Sequence, residues 1–101
     1  MIDLSAIIGF DWDKGNVHKR RTKHDVSSAE SEPVFFNQPL MVVEDVQLSQ
    51  AVLRFHAFGV TDSNRQLHIT FTVRAGGTFI RVISARDMSL RERKWYATQN
   101  S

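Results

Sequence analysis

The chain has 101 residues, 42% of them hydrophobic and 24% charged, which suits a single domain spanning residues 1–101. It contains no cysteine, so disulfide bonds and cysteine-bound zinc are excluded. Its apolar runs are far shorter than the roughly 20 residues of a membrane-spanning helix, and Asp3 stands where a signal peptide would be basic. We therefore expect a cytoplasmic protein that has no membrane contact.

The net charge of +2 conceals an uneven distribution of charge along the chain. Residues 26–53 contain four acids and no Lys or Arg, whereas residues 54–101 contain eight Lys or Arg and three acids. A basic surface suits a polyanionic ligand, and an acidic surface suits a basic protein partner.

The first half of the chain predicts a short or irregular strand followed by two helices. The first helix runs from Lys14 to about His24 and is strongly basic, which indicates either a solvated face or a partner-binding face. The second helix is short and begins at a capping box formed by Ser27 and Glu30. Val34-Phe35-Phe36 should then supply apolar cover for a sheet.

The second half predicts a sheet of four strands, because apolar and polar residues alternate along it. These strands are Leu40 to Glu44, a strand from Val52, Leu67 to Arg74, and Phe79 to Ile83, which Ser84-Ala85-Arg86 would end. The predicted fold class is α+β, in the order β-α-α-β-β-β-β-α. It has two N-terminal helices, a four-stranded antiparallel sheet and a C-terminal helix.

The C-terminal helix is predicted to begin near Leu90, because Ser89 and Glu92 form a second capping box. This helix brings further cations and two aromatic residues close to Arg81 and Arg86 on the preceding strand. Five cations lie between residues 81 and 94, against two acids. The chemistry of the protein is therefore expected in this region.

Several common kinds of site are missing from the sequence. His18 and His24 have no acid between them and do not match HExxH, the five glycines form no phosphate loop, and no nucleophile elbow is present. We therefore expect no metal and no cofactor. A cationic site with His, Tyr and Arg is sufficient for RNA cleavage by the substrate's own 2′-hydroxyl, since the protein need only orient it, neutralise charge and move protons.

The order of motifs from Phe10 to Tyr96 resembles the BrnT toxin family. The motifs are Phe10-x-Trp12-Asp13, Lys23-His24-x-Val26-Ser27, Ala29, Val34-Phe35, Arg54, Gly59, Asn64-Arg65-x-Leu67, Ile80 to Arg86, Glu92-Arg93 and Tyr96. The resemblance implies a RelE-like fold and a ribonuclease toxin that inhibits translation. It also implies a BrnA-like ribbon-helix-helix antitoxin, a heterotetramer with it, and DNA contact only through that partner.

The chain departs from the family pattern at five positions, of which two are Val52 and Leu53, where acidic residues commonly precede the arginine equivalent to Arg54. Asn16 and Arg20 stand where the family usually has Lys and Asn, and Asp25 stands where Gly is usual. If a lysine at position 16 takes part in catalysis in the family, Lys14 or Arg20 would have to replace it.

Each candidate site residue also has a structural alternative. Arg81 is expected to contact phosphate or antitoxin, and its alternative is a solvent-facing position or a structural ion pair. Arg86 is expected to play a similar role, and its alternative is a structural salt bridge to Asp87 or Glu92. His24 and Tyr96 are candidates for proton transfer, with a helix-capping role and packing as alternatives. His56 and His68 are predicted to be simple surface residues. The further candidates for RNA binding are Arg54, Lys23, Arg74 and Arg93.

Two other functions remain open from the sequence. One is a catalytically weak RNA- or antitoxin-binding module that acts mainly in a transcriptional autorepressor complex. The other is a plain RNA-binding domain that uses basic strands and aromatic residues.

Overall fold

The computed structural model describes residues 4–11, 26–45 and 53–99. These residues form five β-strands, two α-helices and two 3₁₀ helices. The strands are β1 (Gly9–Phe10), β2 (Met41–Glu44), β3 (Phe55–Val60), β4 (Gln66–Arg74) and β5 (Phe79–Asp87). The α-helices are α1 (Ser28–Ser31) and α2 (Leu90–Gln99), and the 3₁₀ helices are Leu4–Ala6 and Glu32–Phe35.

The five strands of the described region form one mixed sheet in the order β1-β5-β4-β3-β2. Strands β2 to β5 pair as antiparallel neighbours. Strand β1 pairs parallel to β5, with Gly9 opposite Phe79 and Phe10 opposite Ile80. The prediction of a four-stranded antiparallel sheet is therefore wrong, because the short initial strand joins the sheet at its far edge.

The prediction of two N-terminal helices is also wrong for the part of the chain described. One short helix, α1, precedes β2 there, and the helix predicted from Lys14 to His24 lies outside the described residues. The capping box of α1 is confirmed, since the Glu30 amide donates to Ser27 Oγ at 3.1 Å and the Ser27 amide donates to Glu30 Oε1 at 3.3 Å. Pro33 has no amide hydrogen to continue an α-helix, and a 3₁₀ helix follows.

The main core lies on one face of the sheet, under α1 and the 3₁₀ helix that follows it. Phe71 at its centre contacts Phe35 edge to face at 5.0 Å between ring centroids and stacks on Phe55 at 5.5 Å. Val34 and Phe35 are buried as predicted, but Phe36 is 62% exposed and does not belong to the core. The buried residues of the core are Val26, Val34, Phe35, Phe55, Ala57, Leu67, Ile69, Phe71, Ile80, Val82 and Ala85.

Strand β5 contains a bulge that changes which of its residues face the core. Thr70 lies opposite Ser84 and Phe71 lies opposite Val82, so Ile83 is an extra residue on β5. The strand then continues to Asp87, and the predicted end at Ser84-Ala85-Arg86 is wrong. Because the bulge shifts the alternation by one residue, Ala85 points into the core and Arg86 toward the opposite face.

We call that opposite side of the sheet the outer face. Helix α2 covers one end of it, where Phe58, Met88 and Tyr96 form a second buried cluster with Trp95 beside it. The helix begins at Leu90 as predicted, and the Glu92 amide donates to Ser89 Oγ at 3.2 Å. The remaining part of the outer face is not covered by this helix and carries polar and basic side chains.

Candidate active site

The polar side chains of the outer face lie in rows across three neighbouring strands. His56 on β3, Thr70 on β4 and Ser84 on β5 form one row. The next row contains Thr72 on β4 and Arg81 on β5. Two strand positions separate the rows, which is roughly 7 Å along the strands. The outer face thus places basic and hydroxyl side chains close together, with Thr72 itself buried.

A chain of hydrogen-bonded side chains crosses one end of this face. Asp45 Oδ2 lies 2.9 Å from His56 Nε2, and His56 Nδ1 lies 2.8 Å from His68 Nε2. The Thr70 hydroxyl also lies 3.2 Å from His56 Nδ1. Both ring nitrogens of His56 therefore have partners inside the protein.

The far end of the chain is a carboxylate held by an arginine. Both terminal nitrogens of Arg86 donate hydrogen bonds to the Glu92 carboxylate, at 2.8 and 2.9 Å, and the Ser89 amide donates to the same carboxylate at 2.9 Å. Burial by itself raises the pKa of Glu92, but these bonds outweigh it and lower the pKa to about 2. Glu92 is therefore an anion near neutral pH and faces His68 as an acceptor.

The contact between His68 and Glu92 leaves the chain of hydrogen-bonded side chains incomplete. His68 Nδ1 lies 3.2 Å from Glu92 Oε2, but not in hydrogen-bonding geometry, so this buried nitrogen has no hydrogen-bond partner among the described residues. A complete chain would have three hydrogen bonds: one from His56 to Asp45, one between the two rings, and one from His68 to Glu92. Each of these bonds needs one N–H group, whereas two neutral imidazoles carry only two N–H groups in total. The pair can therefore take up one proton and close the chain to Glu92 without large movement.

Burial is the main reason that the pKa of His68 is lowered to about 4. Glu92 acts in the opposite direction, and Arg86 and His56 add to the lowering. His68 is thus uncharged near neutral pH.

The lowered pKa of His68 makes the free energy of unfolding depend on pH. Between pH 6.5 and 4 the unfolded chain binds a proton at this ring and the folded chain does not. The contribution of His68 to the free energy of unfolding is therefore fully present above pH 6.5 and is lost as the pH falls toward 4. The loss from His68 should approach about 3 kcal/mol at pH 4. Urea unfolding at pH 7, 6 and 5 measures this loss. The free energy of unfolding should fall more steeply with decreasing pH for the native chain than for His68→Gln. An equal dependence on pH in the two proteins would show that the pKa of His68 is not lowered.

The second row of the outer face is cationic. The Thr72 hydroxyl donates to the Leu53 carbonyl at 2.5 Å, which holds the segment before β3 against β4. Arg54 follows Leu53 and, by the alternation of β3, lies on the outer face, while Arg81 lies directly opposite Thr72 on β5. Two half-buried arginines therefore flank Thr72 on either side of β4.

Two of the predicted catalytic residues are engaged in internal contacts. Arg86 donates to Glu92 and also to the carbonyl of Asp87 at 3.0 Å. Tyr96 is buried, its hydroxyl donates to the Pro39 carbonyl, and burial raises its pKa. Contact of either group with a substrate would require these bonds to be released.

The other predicted residues are dispersed. Arg74 is exposed at the end of β4, and Arg93 is exposed on α2, where its charge helps to lower the pKa of Asp87. Arg65 is the main cause of that lowering, since it donates to Asp87 at 2.7 and 3.0 Å. Lys23 and His24 lie outside the described residues.

Sequence reasoning missed the histidine pair. His56 and His68 were predicted to be simple surface residues, but they are half-buried and bonded to each other. The sequence did contain a signal for this pair, which is the turn from Thr61 to Asn64. A hairpin with this turn places Phe58 opposite His68, and His56 then lies near His68 on the neighbouring strand. The rings of Phe58 and His68 stack at 4.5 Å, which fixes the orientation of His68.

An apolar pocket of about 400 Å³ adjoins the hydrogen-bonded chain. Its walls come from β2, β3 and α2, and its lining residues are Val43, His56, Phe58, Arg91, Glu92 and Trp95. Phe58 and Trp95 meet edge to face at 5.0 Å between ring centroids. The outer face thus combines a chain of hydrogen-bonded side chains, a cationic row and an aromatic pocket.

Two further properties concern only the described residues. Within residues 4–11, 26–45 and 53–99, no three His, Asp or Glu side chains are grouped so that they could hold a metal ion. In the same ranges, no helix has the length and apolar character needed to span a membrane.

The chain matches the model of a known protein family. A family model described as "Ribonuclease toxin, BrnT, of type II toxin-antitoxin system" matches residues 12–92, which is most of the chain. No curated protein matches the chain significantly.

Proposed function

The chain belongs to the BrnT family of ribonuclease toxins of type II toxin–antitoxin systems, and we propose that it cleaves RNA without a metal ion, using the substrate's 2′-hydroxyl as the nucleophile. In this reaction the 2′-oxygen attacks the adjacent phosphorus, and the 5′-oxygen of the next nucleotide leaves. The protein must remove one proton, supply another and neutralise the charge that builds up on the phosphate.

The observation that carries the proposal is the juxtaposition on the outer face. A side-chain network able to hold one extra proton lies one row, roughly 7 Å, from a pair of arginines. Cleavage by the 2′-hydroxyl needs these two components and no more from the protein.

Charge neutralisation is assigned to Arg81, with Arg54 on the other side of Thr72. An arginine side chain offers two parallel N–H groups to two phosphate oxygens and stays charged at any pH used for RNA. Arg86 is assigned a different role from the predicted one. It holds Glu92 in place beside His68 and so acts through the hydrogen-bonded chain.

Proton transfer is assigned to the histidine pair. Thr70 lies on the outer face and is half-buried among the described residues, and its hydroxyl contacts His56 Nδ1, so we assign it the contact between the chain and a bound substrate. His24 remains a second candidate. Tyr96 is less suited, because its hydroxyl is committed to Pro39.

The family implies an antitoxin partner. We propose that a BrnA-like ribbon-helix-helix protein covers the basic outer surface in the cytoplasm, blocks cleavage, and carries the DNA contact of a heterotetramer. Release from it would allow cleavage of mRNA and inhibit translation. The acidic segment from Glu30 to Asp45 offers a second, oppositely charged surface for such a partner.

The proposal predicts cleavage of RNA by the purified chain in excess EDTA. Adding the protein encoded beside it should stop cleavage in proportion to complex formed. Gel analysis of a labelled RNA of mixed sequence, with a mock purification as control, measures both. Cleavage that needs a divalent ion would overturn the mechanism, and binding without any cleavage would favour a binding module within an autorepressor complex.

A further inference from the structure

The apolar pocket between β2, β3 and α2 shares His56 and Glu92 with the hydrogen-bonded chain, but its aromatic and aliphatic surface has no role in the chemistry proposed above. Its volume is about 400 Å³, and its apolar lining residues are Val43, Phe58 and Trp95. Val43 is 43% exposed and Trp95 is half-buried, so the pocket is open to molecules that reach the outer face.

Two of the polar residues that line the pocket, His56 and Glu92, already have hydrogen-bond partners inside the protein. Both ring nitrogens of His56 bond to neighbours, and both oxygens of Glu92 accept from Arg86. The pocket therefore presents aromatic and aliphatic surface and few hydrogen-bonding groups. An occupant would be held by stacking and by burial of a flat apolar face.

The charge around the pocket favours a polyanion. Arg91 is exposed at the rim and Arg93 is exposed on the same helix, whereas Glu92, the acid of α2, is neutralised by Arg86. The pocket also shares His56 with the first polar row, and the cationic row of Arg81 begins roughly 7 Å farther along the strands. An occupant of the pocket can therefore extend onto the row where phosphate is proposed to bind.

We propose that this pocket binds one nucleobase of the RNA substrate, stacked against Trp95, with Arg91 contacting the backbone phosphate of that nucleotide. This inference rests on the proposed function, of which it supplies the substrate contact. Because the pocket offers few hydrogen-bonding groups, it selects by stacking area. Purines should bind more tightly than pyrimidines, and adenine and guanine should bind about equally.

The test measures binding, so that it is independent of cleavage. The probes are 2′-O-methyl hexanucleotides, which cannot be cleaved at their 2′-oxygens, and an abasic hexanucleotide of equal charge. The native chain should bind the purine probe about 10-fold more tightly than the abasic one. Trp95→Ala should remove most of this difference and leave the affinity for the abasic probe nearly unchanged.

A second variant tests the pocket independently, because Trp95→Ala could lose binding through unfolding. Val43→Glu places a carboxylate in the pocket wall at an exposed position of the edge strand, and it should remove the base-dependent difference without lowering the thermal midpoint. Leu90→Ala is the matched control, because Leu90 is 60% exposed on the same helix and does not line the pocket.

The outcomes separate this inference from the proposed function. Base-dependent binding that is lost in both pocket variants supports the pocket, even if the protein proves not to cleave RNA. Equal binding of base-containing and abasic probes by the native chain overturns it, even if cleavage is intact. Retained base-dependent binding in folded Val43→Glu, together with loss of the antitoxin complex, would assign the pocket to the protein partner instead.

Discussion

Replacing Arg81 by alanine should lower the rate of RNA cleavage roughly 10²–10³-fold, by analogy with the loss of one donor to a charged transition state. Negative charge increases on the non-bridging phosphate oxygens as the 2′-oxygen attacks. Arg81 lies half-buried opposite Thr72, where water screens its charge less than at an exposed position. The effect should appear in kcat more than in KM, because the interaction strengthens in the transition state.

The control for Arg81→Ala removes the same charge elsewhere. Lys94 is exposed on α2 and does not line the pocket, so Lys94→Ala should change the rate only slightly. Arg81→Lys should recover part of the activity, since it restores charge but not the planar pair of donors. Circular dichroism and thermal unfolding establish that each variant is folded. Full activity in folded Arg81→Ala would remove Arg81 from the site.

Local signals in the sequence predicted local structure well. Both capping boxes, at Ser27 and at Ser89, form the bonds expected of them, because each depends on residues three positions apart. The alternation of Leu67, Ile69 and Phe71 correctly placed these residues in the core, because one buried face imposes a period of two on the strand.

Features that depend on distant parts of the chain were not predicted. The pairing of Gly9 and Phe10 with β5 joins segments about 70 positions apart, and two residues carry no recognisable strand pattern. The bulge at Ile83 was missed because its sequence resembles a regular strand. Its effect is large, since it directs Arg86 to the outer face, where it meets Glu92.

The candidate site shows the same division. The sequence singled out Arg81 and Arg86 by their position on a strand beside a basic helix, and both lie on the outer face. It assigned His56 and His68 to the surface, since the alternation along each strand was considered without the register that the hairpin turn at Thr61 to Asn64 imposes. Only the register of β3 on β4 and the position of α2 bring Asp45, the two rings and Glu92 into one chain.

Removing a single 2′-hydroxyl from the substrate should abolish cleavage at that site. If the nucleophile belongs to the RNA, a deoxyribose at the cut position leaves the protein nothing to activate, whatever the state of Arg81 or the histidines. Cleavage at other positions in the same RNA should continue, which provides an internal control for binding and for the activity of the preparation.

The most direct measurement is therefore the product analysis of two matched RNAs in EDTA, one all-ribose and one with 2′-deoxyribose at the mapped cut. The all-ribose RNA should give a 2′,3′-cyclic or 3′-phosphate and a 5′-hydroxyl, and the substituted RNA should remain intact at that position. Cleavage of the substituted RNA there, or products that carry a 5′-phosphate, would show that water is the nucleophile and contradict the mechanism.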